Sequence, residues 1–291
     1  MKRLSRLARI VIATATVAYF MALGLLVVFQ EAILFPARML NSEAGRWARY
    51  ETRLAVEADG IVLQGWIIPA EHARPAPPPS IIYYGGNAEE LGRSVERLRQ
   101  IGPGYQYVLI NYRGYGGSAG VPTEQALKHD AIAILHSLEA DGVIDRHTTH
   151  LIGRSLGSGV AMHVAAEIDV ASLTLITPYD SIENVARSRY PIFPVRLLLR
   201  HPFHSVDLVN AVSEPTLVIV AAQDDVVPQD STARLIDAFG AGRAADNAAN
   251  NVQVEWPPDT THYRIFTDET YKAIDEHLRR NSIIRSGGTA G

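Results

Sequence analysis

From residue 10 to residue 29 the chain is apolar and carries no charge, reading IVIATATVAYFMALGLLVVF. At ~1.5 Å rise per residue, this run predicts a helix about 30 Å long, matching the hydrocarbon core of a bilayer. Beyond it the pattern changes to short apolar runs separated by amphipathic stretches. Asp59-Gly60, between runs 53–57 and 61–68, is a hairpin signal. Further strands are predicted at 80–84, 106–111, 149–152, 172–176, 216–221 and 252–256, with helices at 123–140 (Pro122 at its start), 160–167, 232–239 and 263–280. A hairpin leading into repeated strand–helix units implies an α/β fold: a mostly parallel central sheet covered by helices on both faces. The stretch 181–200 is the only one between the sixth and seventh runs available as a lid, and its shortness predicts a comparatively open site. Residues 240–251, rich in alanine and asparagine, read as a surface insertion, and 72–79 as a proline-rich loop. The expected organisation is a basic N-terminus at 1–9, an anchor at 10–29, a connector at 30–50, the main domain at 51–281 and a tail at 282–291. In the connector, Ile33, Leu34, Phe35, Met39 and Leu40 are apolar enough to lie on a membrane surface or against the domain.

Lys2, Arg3, Arg6 and Arg9 precede the apolar run, and Arg38 alone follows it closely. This bias predicts a single-pass protein with its N-terminus in the cytoplasm and its domain on the far side. A cleaved signal peptide is the rival, but its apolar region is normally ~7–15 residues long and ends in a small-x-small site. Here the run ends Leu-Leu-Val-Val-Phe. A length of 291 residues with 47% hydrophobic residues supports one sizeable core beyond the N-terminus. The net charge of −4, with no basic patch interleaved with aromatics, argues against nucleic-acid binding. There are no cysteines, and so no disulfides.

The chemistry centres on Ser155, flanked by Gly153 and Gly157 as Gly-x-Ser-x-Gly between a strand-like run and a helix-like one. A serine on such a strand-to-helix turn is in a strained backbone conformation and projects its hydroxyl at the sheet's edge, and only glycines leave room for the close approach. The following helix N-terminus favours a developing oxyanion. After Ser155, the apolar run 215–222 ends in Gln223-Asp224-Asp225, placing either aspartate to orient an imidazole. Just beyond the last predicted strand stands His262, able to take the Ser155 proton and return it to a leaving group. Two main-chain N–H groups must hold the oxyanion: Leu156, directly after the nucleophile, and Asn87 in the loop Gly85-Gly86-Asn87-Ala88 after the run 80–84. His129, His136, His163 and His277 fall in helical patterns, and His72 in the proline-rich loop. The pairs His147/His150 and His201/His204 have only loose ligand spacing, so no metal site is expected. Gly114-Tyr-Gly-Gly-Ser-Ala119 fits a dinucleotide fingerprint, but Pro122 opens the helix only after the glycines end. The run reads instead as a tight turn beneath the site, and no cofactor is expected.

Asn111-Tyr-Arg-Gly-Tyr-Gly-Gly-Ser-Ala-Gly-Val-Pro-Thr-Glu124 resembles the D-Y-R-G-Y-G-x-S-x-G-x-P-[ST]-E signature of a membrane-anchored subgroup of alpha/beta-hydrolase-fold serine hydrolases. Gly86-Asn87-Ala88 resembles that family's oxyanion loop, and Thr177-Pro-Tyr-Asp-Ser-Ile182 its post-strand turn. The family order is serine, acid, histidine, and its D-x-x-V-P pattern falls on Asp224, with Asp225 as runner-up. The resemblance implies an alpha/beta-hydrolase fold and a Ser155–Asp224–His262 triad hydrolysing an ester, thioester or amide through an acyl-enzyme. It further implies a small-molecule or lipid-like acyl substrate near the membrane. A serine peptidase, or a catalytically silent scaffold on the same fold, remain alternatives. The chain departs from the family at Gly85, Asn111 and Ala221, where histidine, aspartate and glycine are usual.

Overall fold

A computed structural model describes residues 6–36, 52–71, 77–244 and 251–286. Among them, strands β1 (Thr52–Ala58) and β2 (Ile61–Ile68) form an antiparallel hairpin across Asp59-Gly60, where both residues take positive φ. β2 then pairs antiparallel with β4 (Gln106–Ile110). The remaining strands, β3 (Ser80–Tyr84), β5 (Thr149–Arg154), β6 (Ser172–Ile176), β7 (Thr216–Ile219) and β8 (Val252–Glu255), continue in parallel. Together they make one sheet in the order β1-β2-β4-β3-β5-β6-β7-β8. From β3 the chain moves to one side of the sheet, and from β5 to the other. The crevice this opens at the strands' C-terminal ends is where ligands bind in open parallel sheets.

The period-two alternation of the strands sends their apolar side chains into two cores, one on each face. Ile82, Val108, Leu151, Leu173 and Val218 pack against α3 (Glu124–Ala140), α4 (Leu156–Glu167) and α7 (Gln229–Ala244). Ile81, Leu109, Ile152, Leu217 and Ile219 pack against α2 (Val95–Leu98) and α8 (Asp268–Ser286). This is the α/β architecture that the sequence pattern implies, and the alpha/beta-hydrolase fold that the resemblance implies.

Several boundaries differ from the pattern. α4 starts directly after Ser155 rather than at 160. α8 starts at Asp268 rather than 263, because residues 263–267 form turns closed by Arg264 N–H to the Thr261 carbonyl and Thr267 N–H to the Ile265 carbonyl. α7 runs on to Ala244, so the first part of the expected insertion at 240–251 is helical, while 245–250 lies outside the described residues. Lys2, Arg3, most of the connector (37–50), residues 72–76 of the proline-rich loop and 287–291 of the tail also lie outside them.

The N-terminal helix α1 (Arg6–Leu34) is long and apolar enough to cross a membrane and continues beyond the expected limit at 29. It is not a free rod. Its half-buried positions Tyr19, Leu23, Leu26, Val27, Gln30, Glu31 and Leu34 recur every three or four residues, marking one face laid on the domain. That face meets α5 (Ile182–Arg189), α6 (Val195–Leu198) and the chain around them. Tyr19 donates its hydroxyl to the Ile192 carbonyl at 3.1 Å and stacks on Phe193. Gln30 donates to the Leu198 carbonyl and accepts the Arg200 N–H, and the Arg200 guanidinium reaches Glu31 at 2.9 Å. Phe35, just past the helix, is buried edge-on to His201 and close to Phe203. Phe35→Ala therefore removes the aromatic plug that fixes the C-terminal end of α1. It should cost about 3–5 kcal/mol in chemical denaturation, with faster amide exchange through the last turns of α1.

Candidate active site

β5 ends at Arg154 and α4 begins at Leu156, so Ser155 alone makes the turn, with φ 50° and ψ −119°. A non-glycine residue held there stores about 1–3 kcal/mol of strain. The flanking glycines are obligatory on steric grounds. A Cβ at Gly153 would lie 2.4 Å from the Gly157 carbonyl oxygen, and one at Gly157 would lie 2.1 Å from that of Tyr84. The Ser155 N–H is donated to the Ile176 carbonyl at 2.9 Å, fixing the turn against β6.

The Ser155 hydroxyl lies 3.0 Å from His262 Nε2. His262 Nδ1 faces the two carboxylate oxygens of Asp224 at 3.0 and 2.9 Å. An N–H on Nδ1 donated to that carboxylate leaves Nε2 free to accept the serine proton. Asp224 Oδ1 also accepts the main-chain N–H groups of Val226 and Val227, which fixes the carboxylate in its turn. Thr260 joins the two loops by accepting the Ala222 N–H on its hydroxyl and the Gln223 N–H on its carbonyl. The His262 and Asp224 side chains are buried, whereas Asp225 is exposed. The structure thus brings Ser155, His262 and Asp224 together and leaves Asp225 outside.

Asn87 and Leu156 line the same cavity as Ser155 and His262, and their main-chain N–H groups reach no acceptor among the described residues. The Asn87 loop is braced from below by the glycine-rich run. Tyr112 donates its hydroxyl to the Gly85 carbonyl at 2.9 Å, and Tyr115 donates to the Asn87 carbonyl at 2.6 Å. The run folds tightly because Gly116 has φ +47° and presses on Asn111, where a Cβ would sit 2.2 Å from Nδ2. The tyrosines and glycines are thus a structural turn, and the helix begins only at Glu124.

Sequence reasoning missed a buried ion pair. Arg154, inside the Gly-x-Ser-x-Gly motif, donates to Glu89 at 3.0 Å and to the His262 carbonyl at 3.0 Å. Glu89 also accepts the Gly86 N–H and the Tyr83 and Ser94 hydroxyls. Burial pushes the Glu89 carboxyl up, but Arg154 and these hydrogen bonds outweigh it and hold its pKa below the ordinary range. Burial likewise works against the Arg154 charge, and Glu89 more than offsets it.

The cavity, about 380 Å³, runs from Ser155 between α5, α6 and α1. Leu23, Leu26, Val27 and Ile33 of α1 form part of its wall. The cavity is open to solvent at one side, in keeping with the comparatively open site expected from the short stretch 181–200. That stretch is short, and α1 lies beside it as a further wall. Of the other histidines, His150 is buried between the Ser172 and Ser282 hydroxyls, and burial pulls its pKa down to about 3. Among the described residues no cluster of three His, Asp or Glu side chains could hold a metal.

Because its pKa is depressed on folding, Glu89 contributes stability that is present above the ordinary glutamate range and lost as pH falls through the lowered value. Glu89→Gln should cost about 3–5 kcal/mol at neutral pH, since it strands the Arg154 charge. It should also flatten the acid limb of stability in urea titrations run across that range.

No protein-family model matches the chain. Over 214 residues it is 34% identical to an uncharacterized protein of Mycobacterium tuberculosis, covering 73% of this chain and 74% of that one. It is 26% identical over 196 residues to the alpha/beta hydrolase domain-containing protein WAV2 of Arabidopsis thaliana, covering 62% and 63%. The esterase Pf2001 of Pyrococcus furiosus superposes with a TM-score of 0.64 at 20% identity, over 82% of this chain and 96% of that one. The fold, the elbow and these relatives lead to one conclusion: the chain belongs to the alpha/beta-hydrolase family.

Proposed function

We propose that the protein is a membrane-anchored serine hydrolase of the subgroup its glycine-tyrosine run resembles, with residues 51–281 as its hydrolase unit. One observation carries this reading: the hydrogen-bonded series Asp224–His262–Ser155 ends beside two N–H groups that have no acceptor among the described residues. In the mechanism, His262 Nε2 takes the Ser155 proton as the oxygen attacks an ester, thioester or amide carbonyl. The tetrahedral oxyanion accepts hydrogen bonds from the Asn87 and Leu156 N–H groups, and Asp224 stabilises the imidazolium. The imidazolium protonates the departing alcohol, thiol or amine, leaving an acyl-enzyme. Water, deprotonated by His262, then releases the acid and restores Ser155. No cofactor or metal is required.

Ser155→Ala should lower kcat by ~10⁴–10⁶ without unfolding the protein, and His262→Ala comparably, with losses that do not add in the double variant. Asp224→Asn should impair turnover far more than Asp225→Asn, as successive side chains on an extended segment point opposite ways. Steady-state ester hydrolysis checks all four variants. A fluorophosphonate that labels wild type but not Ser155→Ala separates an enzyme from a silent scaffold. Turnover by Ser155→Ala above about a tenth of wild type would rule out the assignment.

Residues 10–29 act as the anchor in this reading, with residues 1–9 in the cytoplasm and the hydrolase domain beyond the membrane. Ala18→Arg should cost about 2.5–3.5 kcal/mol of insertion free energy, and part of the protein should leave the carbonate-washed membrane fraction. A mature chain beginning after Phe29 would instead identify a cleaved signal.

A further inference from the structure

Resting on the serine-hydrolase reading, we propose that α1 is a wall of the acyl-binding pocket as well as an anchor, and that the substrate is a long-chain acyl ester drawn from the bilayer. Three observations converge on this. The cavity that begins at Ser155 and His262 continues, without a separate chamber, along the α1 side chains Leu23, Leu26, Val27 and Ile33. Residues 23 to 34 of a helix extend for about 16 Å, a length that suits a long alkyl chain and far exceeds an acetyl group. The opposite wall is also apolar, formed by Val185, Phe193 and their neighbours, so burying each chain methylene there is worth about 0.8 kcal/mol.

The second observation concerns where the membrane must lie. The uniformly exposed stretch of α1, residues 9–18, measures about 15 Å, short of the roughly 30 Å of hydrocarbon that a span crosses. A spanning α1 therefore has part of its docked half below the membrane surface and carries the 190–198 segment down with it. That segment is built for such a position, which is the third observation: Ile192 and Leu197 are 70% and 81% exposed to solvent. Arg187, Arg189 and Arg196 stand among the neighbouring residues, suited to phosphates of lipid headgroups. An acyl chain can then pass from lipid to pocket along α1 without crossing water. The reaction is the one already described: the ester bond to Ser155 forms as the lipid's own breaks, and water later releases the fatty acid.

The full-length protein in phosphatidylcholine vesicles tests this with p-nitrophenyl acetate and p-nitrophenyl palmitate. Val27→Trp fills the wall, and Val28→Trp makes the same change on the face 68% exposed and directed away from the pocket. Val27→Trp should lower the palmitate-to-acetate ratio of kcat/KM by about tenfold or more, the scale on which apolar pockets discriminate chain size, whereas Val28→Trp leaves it in place. Equal ratios in the two variants would overturn the proposal. A second measurement needs no variant: a long-chain alkyl fluorophosphonate with a diazirine at the chain end is bound to Ser155, illuminated, and mapped by mass spectrometry. Cross-links should fall on residues 19–34, and cross-links confined to other segments would overturn the proposal. Loss of all Ser155-dependent acetate turnover would instead strike the hydrolase reading itself, so the two failures are distinguishable.

Discussion

The site is held in register by the buried pair of Arg154 and Glu89. Its guanidinium binds the Glu89 carboxylate on one side and the His262 carbonyl on the other. Glu89 in turn holds the Gly86 N–H. The loops after β3, β5 and β8, distant in sequence, are thereby braced to one another by charge-assisted hydrogen bonds. An apolar pair of equal volume could be as stable, since burying charge is costly. It could not, however, accept the Gly86 N–H or donate to the His262 carbonyl. The loop geometry is what the pair specifies, and productive sites tolerate only about 0.5 Å of error. Holding Gly86 in this way also leaves Asn87 as the next N–H facing the cavity.

The same brace explains how Ser155 can keep its strained φ. Strain at one residue persists only where the surroundings over-determine the chain. Here Ser155 donates its N–H to Ile176, the preceding side chain is locked to Glu89, and the Ser158 hydroxyl and N–H bind the Ser155 carbonyl. Gly157 lies against the Tyr84 carbonyl with no room for a side chain. Each bond is ordinary, but together they leave the serine no other conformation.

What could be read from the sequence divides along the range of the interactions. The elbow was legible because its constraint is steric and local, set by glycines two residues either side of Ser155. The sheet was legible because each parallel strand is buried on both faces and reads as an apolar run. The start of α4 was not, since Leu156-Gly-Ser-Gly159 has poor helix propensity and only tertiary contacts make it helical. The start of α8 was misplaced because Ile265 and Phe266 extend its apolar pattern backwards, while the Thr267 hydroxyl accepts the Thr270 N–H and marks the beginning. The Glu89–Arg154 pair, and the tyrosine hydroxyls under the Gly85 and Asn87 carbonyls, join residues far apart in sequence. Nothing in composition or period announces them.

The docking of α1 on the domain was hidden for a different reason. An amphipathic helix declares its docked face by the contrast between apolar and polar sides. A helix apolar all round has no such contrast, so 10–29 reads only as lipid-facing. The few polar groups that break its uniformity were the available signal: Tyr19, Gln30 and Glu31 lie on one stripe, and each meets the 190–200 region. Gln30 and Glu31 hold the Leu198 carbonyl and Arg200, tying the last turns of α1 to the domain. Their position at the end of the apolar run, in register with Leu23 and Val27, puts these polar contacts on the same stripe of α1 that lines the cavity.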